Sequence, residues 1–218
     1  MINDFDIPDF SGDDFAFDKG IQKTRAEAAA YNRMVNDSLA IVENAFGAKE
    51  TSHKNLKTFL MFKNLQAIIT WSLKGTYNGK NLHISLAKYF TSLRVGRAYY
   101  SGDDLYLFGY FIMRNSFPKT YVCKETIREW ITDLFLNSEV DFEHSKKFSR
   151  KFYVLTEDKK TLSDLLQFKD LDELAAYPDM EVEFQGNACL FRSSRKCISP
   201  KEAEVFTELA KTLIGIFA

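Results

Sequence analysis

The sequence has little cysteine and no segment that marks a secreted or membrane-spanning protein. Its three cysteines, Cys123, Cys189 and Cys197, are odd in number and lack the spacing of a metal site, which disfavours a disulfide framework and favours a reducing compartment. The first residues are acidic, whereas a secretory leader begins with basic ones. The longest apolar runs, such as 105–113, are far shorter than the roughly 20 residues that a spanning helix needs. We therefore predict a cytoplasmic protein without a membrane span.

The short motifs that identify most enzyme classes are also missing. The sequence has no glycine-rich phosphate loop, no dinucleotide-binding glycine motif, no His-Glu-x-x-His and no Gly-x-Ser-x-Gly elbow. Its three histidines are scattered, and none has a ligand-type partner four residues away along a helix. These absences predict no metal and no cofactor, and a protein that binds rather than catalyses.

An enzyme without a recognisable motif, such as a hydrolase, is the alternative. His83 lies in a predicted strand and is a candidate acid or base, Asp103 lies in a Ser-Gly-Asp-Asp turn, and Cys123 precedes a predicted helix start that would favour a thiolate. The hypothesis requires at least two of these side chains within hydrogen-bond reach in one cleft. The competing interpretation of each is structural: a satisfied histidine, a turn aspartate and an unreactive buried cysteine.

Aromatic residues, in contrast, are abundant, with 20 Phe and 10 Tyr. A Phe-rich core is the first interpretation, because most large apolar side chains are buried, and a ring-lined cleft or partner surface is the second. The 45% apolar and 27% charged residues are ordinary for a folded domain. A length of 218 residues suits one large domain or two small ones.

The chain divides into three segments by charge and pattern. Residues 1–18 form an acidic arm, 19–63 a helical segment and 64–218 an α+β domain, and 19–218 are expected to make one globular body. The net charge is −1, and because the arm holds aspartates but no Lys or Arg, the remainder is mildly basic. That excess is too small to favour nucleic-acid binding without a clustered face.

The arm carries four phenylalanines among its aspartates: Phe5, Phe10, Phe15 and Phe17. Its charge opposes collapse, so one interpretation is a flexible, solvated tail. The other is a docking segment whose rings enter a groove with a basic rim, either on its own body or on a protein or peptide partner.

The densest basic cluster is a candidate binding surface. Four basic residues, Lys146, Lys147, Arg150 and Lys151, are interleaved here with the rings Phe148, Phe152 and Tyr153. Such a pattern suits phosphate, single-stranded nucleic acid or an acidic peptide, including the protein's own arm. A strand edge protected by lysines is the competing interpretation.

Periodicity predicts the elements of the fold. A helix over 21–46 has apolar residues every seven positions, which favours packing on the sheet or, alternatively, pairing in a homodimer. Asn78-Gly79 between alternating apolar runs predicts a hairpin of 67–73 with 82–86. A second strand pair is expected to join 97–100 to 105–113, the latter a central strand buried on both faces.

Further elements follow towards the C-terminus. We predict helices over 124–136, 158–167 and 171–177, a strand over 148–155, and a hairpin of 180–184 with 188–192. Ser199, Pro200 and Glu202 predict the start of a final helix through an N-cap, a proline at the first position and a capping box. The fold class is therefore α+β, a mostly antiparallel meander sheet with N-terminal, middle and C-terminal helices packed on it.

The order of these patterns resembles a family of uncharacterised bacterial proteins that is known only as a domain of unknown function. The resemblance spans about residues 68–192 and rests on loose strand and turn motifs: Gly75-Thr76-Tyr77-Asn78-Gly79, Phe108-Gly109, Asp141-Phe142, Phe152-Tyr153-Val154 with Asp158, Leu165-Leu166, and Met180 to Asn187. Members of that family usually carry membrane segments ahead of this domain, where this chain has its acidic arm and helix. The resemblance implies the fold and transfers no catalytic residue. The sequence as a whole predicts a non-catalytic module that binds a protein or a ligand.

Overall fold

The computed structural model describes residues 15–63, 67–89, 92–95, 98–101, 105–124 and 140–218. The helices are α1 (Phe15–Phe46), α2 (Leu60–Lys63), α3 (Lys146–Ser149), α4 (Lys159–Leu166) and α5 (Pro200–Phe217), with a 3-10 helix at Asp172–Ala176. The strands are β1 (Lys49–Glu50), β2 (Ala67–Tyr77), β3 (Lys80–Tyr89), β4 (Ser92–Val95), β5 (Ala98–Ser101), β6 (Leu105–Lys124), β7 (Phe152–Thr156) and β8 (Glu181–Arg192).

Six of these strands form one antiparallel sheet in the order β1-β2-β3-β6-β7, and β8 pairs with β6 on its other side. The 20-residue β6 is central to this sheet. Strand β3 pairs with its first half, β7 pairs with its last residues, 120–124, and β8 runs beside both halves. The predicted α+β class with a mostly antiparallel sheet is confirmed.

The β2–β3 hairpin has the predicted two-residue turn. Tyr77 pairs with Lys80, and the two residues between them have positive φ, 49° at Asn78 and 73° at Gly79. Both values match a type I′ turn, which favours Asn-Gly because both central positions are left-handed. Local turn chemistry therefore determines this register.

Strand β8 is one bent strand, and the predicted hairpin of 180–184 with 188–192 is wrong. Both halves pair with β6, and the bend lies at Gly186, whose φ is +60°. Arg192 donates to Glu181 at 2.7 Å, although a straight strand would set residues eleven positions apart at about 36 Å. The sheet therefore curves towards the face that carries these two side chains, which we call the concave face.

The second predicted strand pair is also wrong. Strand β5 pairs with β4 in a separate two-stranded ribbon, and the long strand that begins at Leu105 pairs with β3 instead. The prediction joined neighbours in sequence, whereas both edges of β6 are taken by strands from elsewhere in the chain. Its prediction as a central strand is confirmed, but burial on both faces is incomplete, because Ile112 is exposed and Leu105, Tyr106 and Tyr110 are half-buried.

The face opposite the concave one is covered by helices. Helices α1 and α5 pack on each other, and apolar side chains from both join those of the sheet in the larger core, including Val42, Phe206 and Leu213. The ring of Phe191 lies directly over Gly109 on the neighbouring strand, where a Cβ would come within 2.1 Å of the ring. Gly109 is therefore required by close packing.

The concave face is covered by residues 51–63, which we call the covering segment. Its buried side chains, including Phe59, Leu60 and Phe62, pack on a second, smaller core with Phe108 and Leu190 of the sheet. The phenylalanine-rich composition thus serves two cores, one on each face. The core interpretation of the aromatic content is confirmed for these rings.

Helix boundaries agree with the sequence in some places and differ in others. Helix α1 begins at Phe15, within the predicted arm, and the predicted heptad residues Val35 and Val42 are buried in the protein's own core. The N-cap of α5 is confirmed, because Ser199 Oγ accepts from the N–H of Glu202 at 3.2 Å. The predicted capping box is not seen, because the Glu202 carboxylate instead accepts from the Ser193 and Ser194 hydroxyls.

The other boundaries show three further differences. The predicted strand over 148–155 begins only at Phe152, after the short helix α3, and the predicted helix over 171–177 is a 3-10 helix. Lys124 ends strand β6, and the rest of the helix predicted over 124–136 lies outside the described residues.

Candidate ligand-binding cleft

A cleft of about 390 Å³ lies at the end of the concave face, where the covering segment meets the β2–β3 turn. We call it the sheet-end cleft. Its walls include side chains from three parts of the chain: Lys54 of the covering segment, Lys80, Asn81 and His83 of β3, and Tyr110 and Ile112 of β6. Its volume falls in the range of small-molecule sites.

Strand pairing sets the floor of the cleft. His83 is the register partner of both Lys74 on β2 and Tyr110 on β6, so these three side chains form a row across the sheet on one face. The ring of Tyr110 is central to the contacts. It packs edge-on against His83 and Phe59, both with centroids 6.1 Å away, and Lys54 Nζ lies 5.6 Å above it.

His83 is half-buried, and its Nδ1 atom is fully buried without a hydrogen-bond partner among the described residues. Burial lowers the pKa of His83, and the positive charges of Lys54 and Lys74 lower it further. The imidazole is therefore neutral at neutral pH. An unpaired buried polar atom is costly. Because this nitrogen is sealed from the cleft, a ligand could contact only the other atoms of the half-buried imidazole, which lines the cleft.

The cleft is positively charged. Among the described residues, none of Lys54, Lys74 and Lys80 forms an ion pair with a carboxylate. No acidic residue lines the cleft among those the structure describes. The arrangement can therefore bind an anion electrostatically and donate or accept one hydrogen bond through His83.

The covering segment that carries Lys54 is anchored by Glu183 of β8. The N–H groups of Leu60 and Met61, at the start of α2, donate to the two oxygens of this fully buried carboxylate at 2.8 and 3.1 Å. Burial nevertheless raises the pKa of Glu183 to about 7, against the opposing effect of these N–H groups and of Lys119. The anchor thus holds a buried carboxylate that ionises near neutral pH.

A second buried carboxylate, Glu181, fastens the two ends of the bent β8. Arg192 and Arg195 each donate to Glu181 Oε1 at 2.7 Å, and the Tyr121 hydroxyl donates to its other oxygen. Although burial acts in the opposite direction, the two guanidinium groups and the hydroxyl hold the pKa of Glu181 below its ordinary value. Both oxygens of the carboxylate are occupied, so the network acts as a structural clamp.

The structure places the predicted basic cluster beside the 3-10 helix. Lys151 Nζ donates to the carbonyl of Ala175 at 2.7 Å, and Asp172 Oδ1 accepts from the N–H groups of Lys147 and Phe148. Lys146, Lys147 and Arg150 are exposed, but Phe152 and Tyr153 are buried at 4% and 6% exposure, one in each core. The rings serve the core and do not alternate with the basic groups at the surface, while binding by the exposed basic residues stays a prediction.

The predicted docking arm lies largely beyond the described part of the chain. Phe5 and Phe10 fall outside the described residues, and for Phe15 and Phe17 the structure describes only the backbone, which is helical. Docking of these four rings therefore stays a prediction.

The structure does not bring together His83 and Cys123, the two candidate catalytic residues of the hydrolase hypothesis that it describes. His83 lies in the sheet-end cleft, whereas Cys123 lies in the smaller core near the other end of β6, and Asp103 falls outside the described residues. Burial, and then the charge of Glu181, raise the pKa of Cys123 to about 12, which is the reverse of an activated thiol.

One histidine that sequence reasoning passed over does contact a hydroxyl group. His53 Nδ1 and Ser72 Oγ are 2.9 Å apart, and Ser72 Oγ lies 3.4 Å from Ser85 Oγ. Both serines are only 3% exposed in the middle of the sheet, so a substrate carbonyl cannot reach them. The contact fixes the start of the covering segment onto the sheet and does not form a nucleophile–base pair.

Within the described ranges, no group of His, Cys, Asp and Glu side chains is arranged to hold a metal ion. No helix in the same ranges is both long and apolar enough to cross a membrane. Comparison with protein-family models, with curated proteins and with solved structures finds no match. The family resemblance over 68–192 stays an expectation.

Sequence reasoning missed Lys54, Lys80 and Tyr110 as partners of His83. The hairpin register, which the Asn-Gly turn determines, already placed Lys74 opposite His83. The pairing of β3 with β6 and the position of the covering segment come from long-range packing, and no local pattern indicates either of them.

Proposed function

We propose that this protein is a non-catalytic ligand-binding module of the cytoplasm that takes a small anionic molecule in the sheet-end cleft. The cytoplasmic location is supported by three cysteines that form no disulfide with one another, two of them buried. Binding without catalysis is supported by the separate positions of His83, in the cleft, and Cys123, in the smaller core, which are the two described candidates of the hydrolase hypothesis.

The observation that carries the proposal is a cleft lined by Lys54, Lys80 and His83, with no carboxylate among its described lining residues. The ammonium group of Lys54 lacks an ion pair among the described residues. An anionic ligand would supply this ammonium group with a partner.

Chemical-shift mapping of the full chain with four small aromatic probes tests the proposal. Phenyl phosphate, benzoate, benzyl alcohol and benzylamine have similar rings and differ in charge. We expect the anionic probes to shift the resonances of His83 and Tyr110 in a saturable manner. If none of the four probes does so, the cleft is not a binding site.

The same samples test the absence of catalysis. Phenyl phosphate incubated with the protein should release no phosphate above the rate in buffer. Turnover that is lost in His83→Gln would instead support an enzyme and contradict the non-catalytic assignment.

A further inference from the structure

We propose that the ligand of the sheet-end cleft is a phosphate monoester, whose dianionic phosphate group contacts Lys54, Lys80 and His83. This inference rests on the proposed function and specifies its ligand class. Both lysines and the histidine line the cleft, and they come from the covering segment and from β3.

The number of positive charges favours a dianion. Lys54 and Lys80 line the cleft, and Lys74 lies directly opposite His83 on the neighbouring strand. With no carboxylate lining the cleft among the described residues, a monoanion would leave most of this charge unbalanced. A dianion has twice the electrostatic attraction to the same groups.

The donors favour a tetrahedral group over a planar one. None of the described lining residues is an arginine, so the cleft lacks the planar fork that recognises a carboxylate in a bidentate manner. Lysines act as point charges and approach phosphate oxygens from different directions. Lys54 reaches the cleft from the covering segment and Lys80 from the start of β3, so the two ammonium groups come from separate elements.

His83 supplies a further contact to a phosphate group, whether its imidazole is neutral or protonated. Its neutral imidazole can donate to a phosphate oxygen, and an anion in the cleft would oppose the effect of Lys54 and Lys74 on the pKa of His83. The phosphate group would therefore contact the imidazole as well as the two lysines that line the cleft.

The remaining walls suit an organic part on the phosphate. Ile112 is 47% exposed, although it is a large apolar residue on a central strand, and it borders the cleft beside the Tyr110 ring. An apolar group attached to the phosphate would cover Ile112 from water. A monoester fits this combination of surfaces better than inorganic phosphate, which offers nothing to the apolar wall.

Isothermal titration of the full chain with phenyl phosphate, inorganic phosphate and benzoate tests the inference. We expect phenyl phosphate to bind most tightly, and Lys54→Gln, Lys80→Gln and His83→Gln each to weaken it by about tenfold, the value of one charge-assisted hydrogen bond. Lys57→Gln is the matched control, because this exposed lysine lies on the same covering segment but does not line the cleft. Lys57→Gln should change the affinity by less than about twofold.

The outcomes separate this inference from the proposed function. Equal or tighter binding of benzoate at the cleft would overturn the phosphate assignment and leave the binding function intact. Equal binding of inorganic phosphate and phenyl phosphate would mean that the organic group adds nothing to the affinity, and would overturn the assignment to a monoester. Equal weakening by Lys57→Gln and Lys54→Gln would mean that charge attracts the probe without a specific site, and would overturn the proposal.

Discussion

Glu183 is expected to make the stability of the fold fall as pH rises. This carboxyl group is fully buried, and burial raises its pKa from an ordinary 4.5 to about 7 in the folded protein. Between these two pH values the folded protein keeps a proton that the unfolded chain has lost. Since a pKa difference of one unit corresponds to about 1.36 kcal/mol, the full contribution of Glu183 to the free energy of unfolding is about 3 kcal/mol.

The sign follows from which state binds the proton. Below about pH 4.5 the carboxyl group is protonated in both states, and the contribution of Glu183 to the free energy of unfolding is at its maximum. Stability then declines as pH rises towards 7, and above about pH 7 the whole 3 kcal/mol has been lost. The free energy of unfolding, measured by urea denaturation at steps from pH 4.5 to 8.5, reports this change.

Glu183→Gln isolates the contribution of this residue from those of other titrating groups. Glutamine has nearly the same shape and cannot ionise, so the difference between the two proteins should change by about 3 kcal/mol across the series. Like the protonated carboxyl group, its amide offers one strong acceptor to the N–H groups of Leu60 and Met61, so glutamine is a suitable mimic of the protonated state. Effects of His83 on stability are common to both proteins and cancel in the difference.

Parallel curves for the original protein and Glu183→Gln would refute the reasoning. They would mean that Glu183 has the same pKa in the folded and unfolded states, and therefore that the covering segment does not desolvate it. Glu204→Gln on the exposed side of α5 is the matched control for the substitution itself.

Two further predictions follow from packing and burial. Gly109→Ala should lower the free energy of unfolding by at least about 2 kcal/mol, because the new Cβ would overlap the Phe191 ring. Gly215→Ala in α5 has open space around it and should raise the free energy of unfolding by up to about 1 kcal/mol. Equal effects of the two substitutions in urea denaturation would contradict this prediction. In the native protein at pH 8, iodoacetamide should modify half-buried Cys197 well before buried Cys123, whose pKa is about 12; peptide mass spectrometry that finds Cys123 modified as fast as Cys197 would contradict it.

Local chemistry made some elements predictable. The Asn78-Gly79 turn determined both the hairpin and its register, and Ser199 with Pro200 determined the start of α5. These signals depend on residues close in sequence, so no knowledge of the packing was needed. The same holds for His83, whose place on a strand followed from the hairpin.

Long-range pairing was not predictable in the same way. The glycine at 186 and its neighbours have the composition of a hairpin turn, but Gly186 bends a single strand because β6 is long enough to pair with both of its halves. The sequence also contains no sign that Glu183 meets the N–H groups of Leu60 and Met61, which are more than 120 positions away. The walls of the cleft depend on that contact and could not be derived from local patterns.

The anchor of the covering segment has a consequence for how the chain folds during synthesis. Residues 51–63 leave the ribosome more than 100 positions before Glu183, and α1 likewise precedes α5, on which it packs. The covering segment can contact Phe108 and Tyr110 once β6 has been translated, but its anchor to Glu183 cannot form until most of the chain has been made. We expect protease resistance of ribosome-bound chains at these residues to appear only after β8 has emerged. Until then, the covering segment lacks its contact with Glu183.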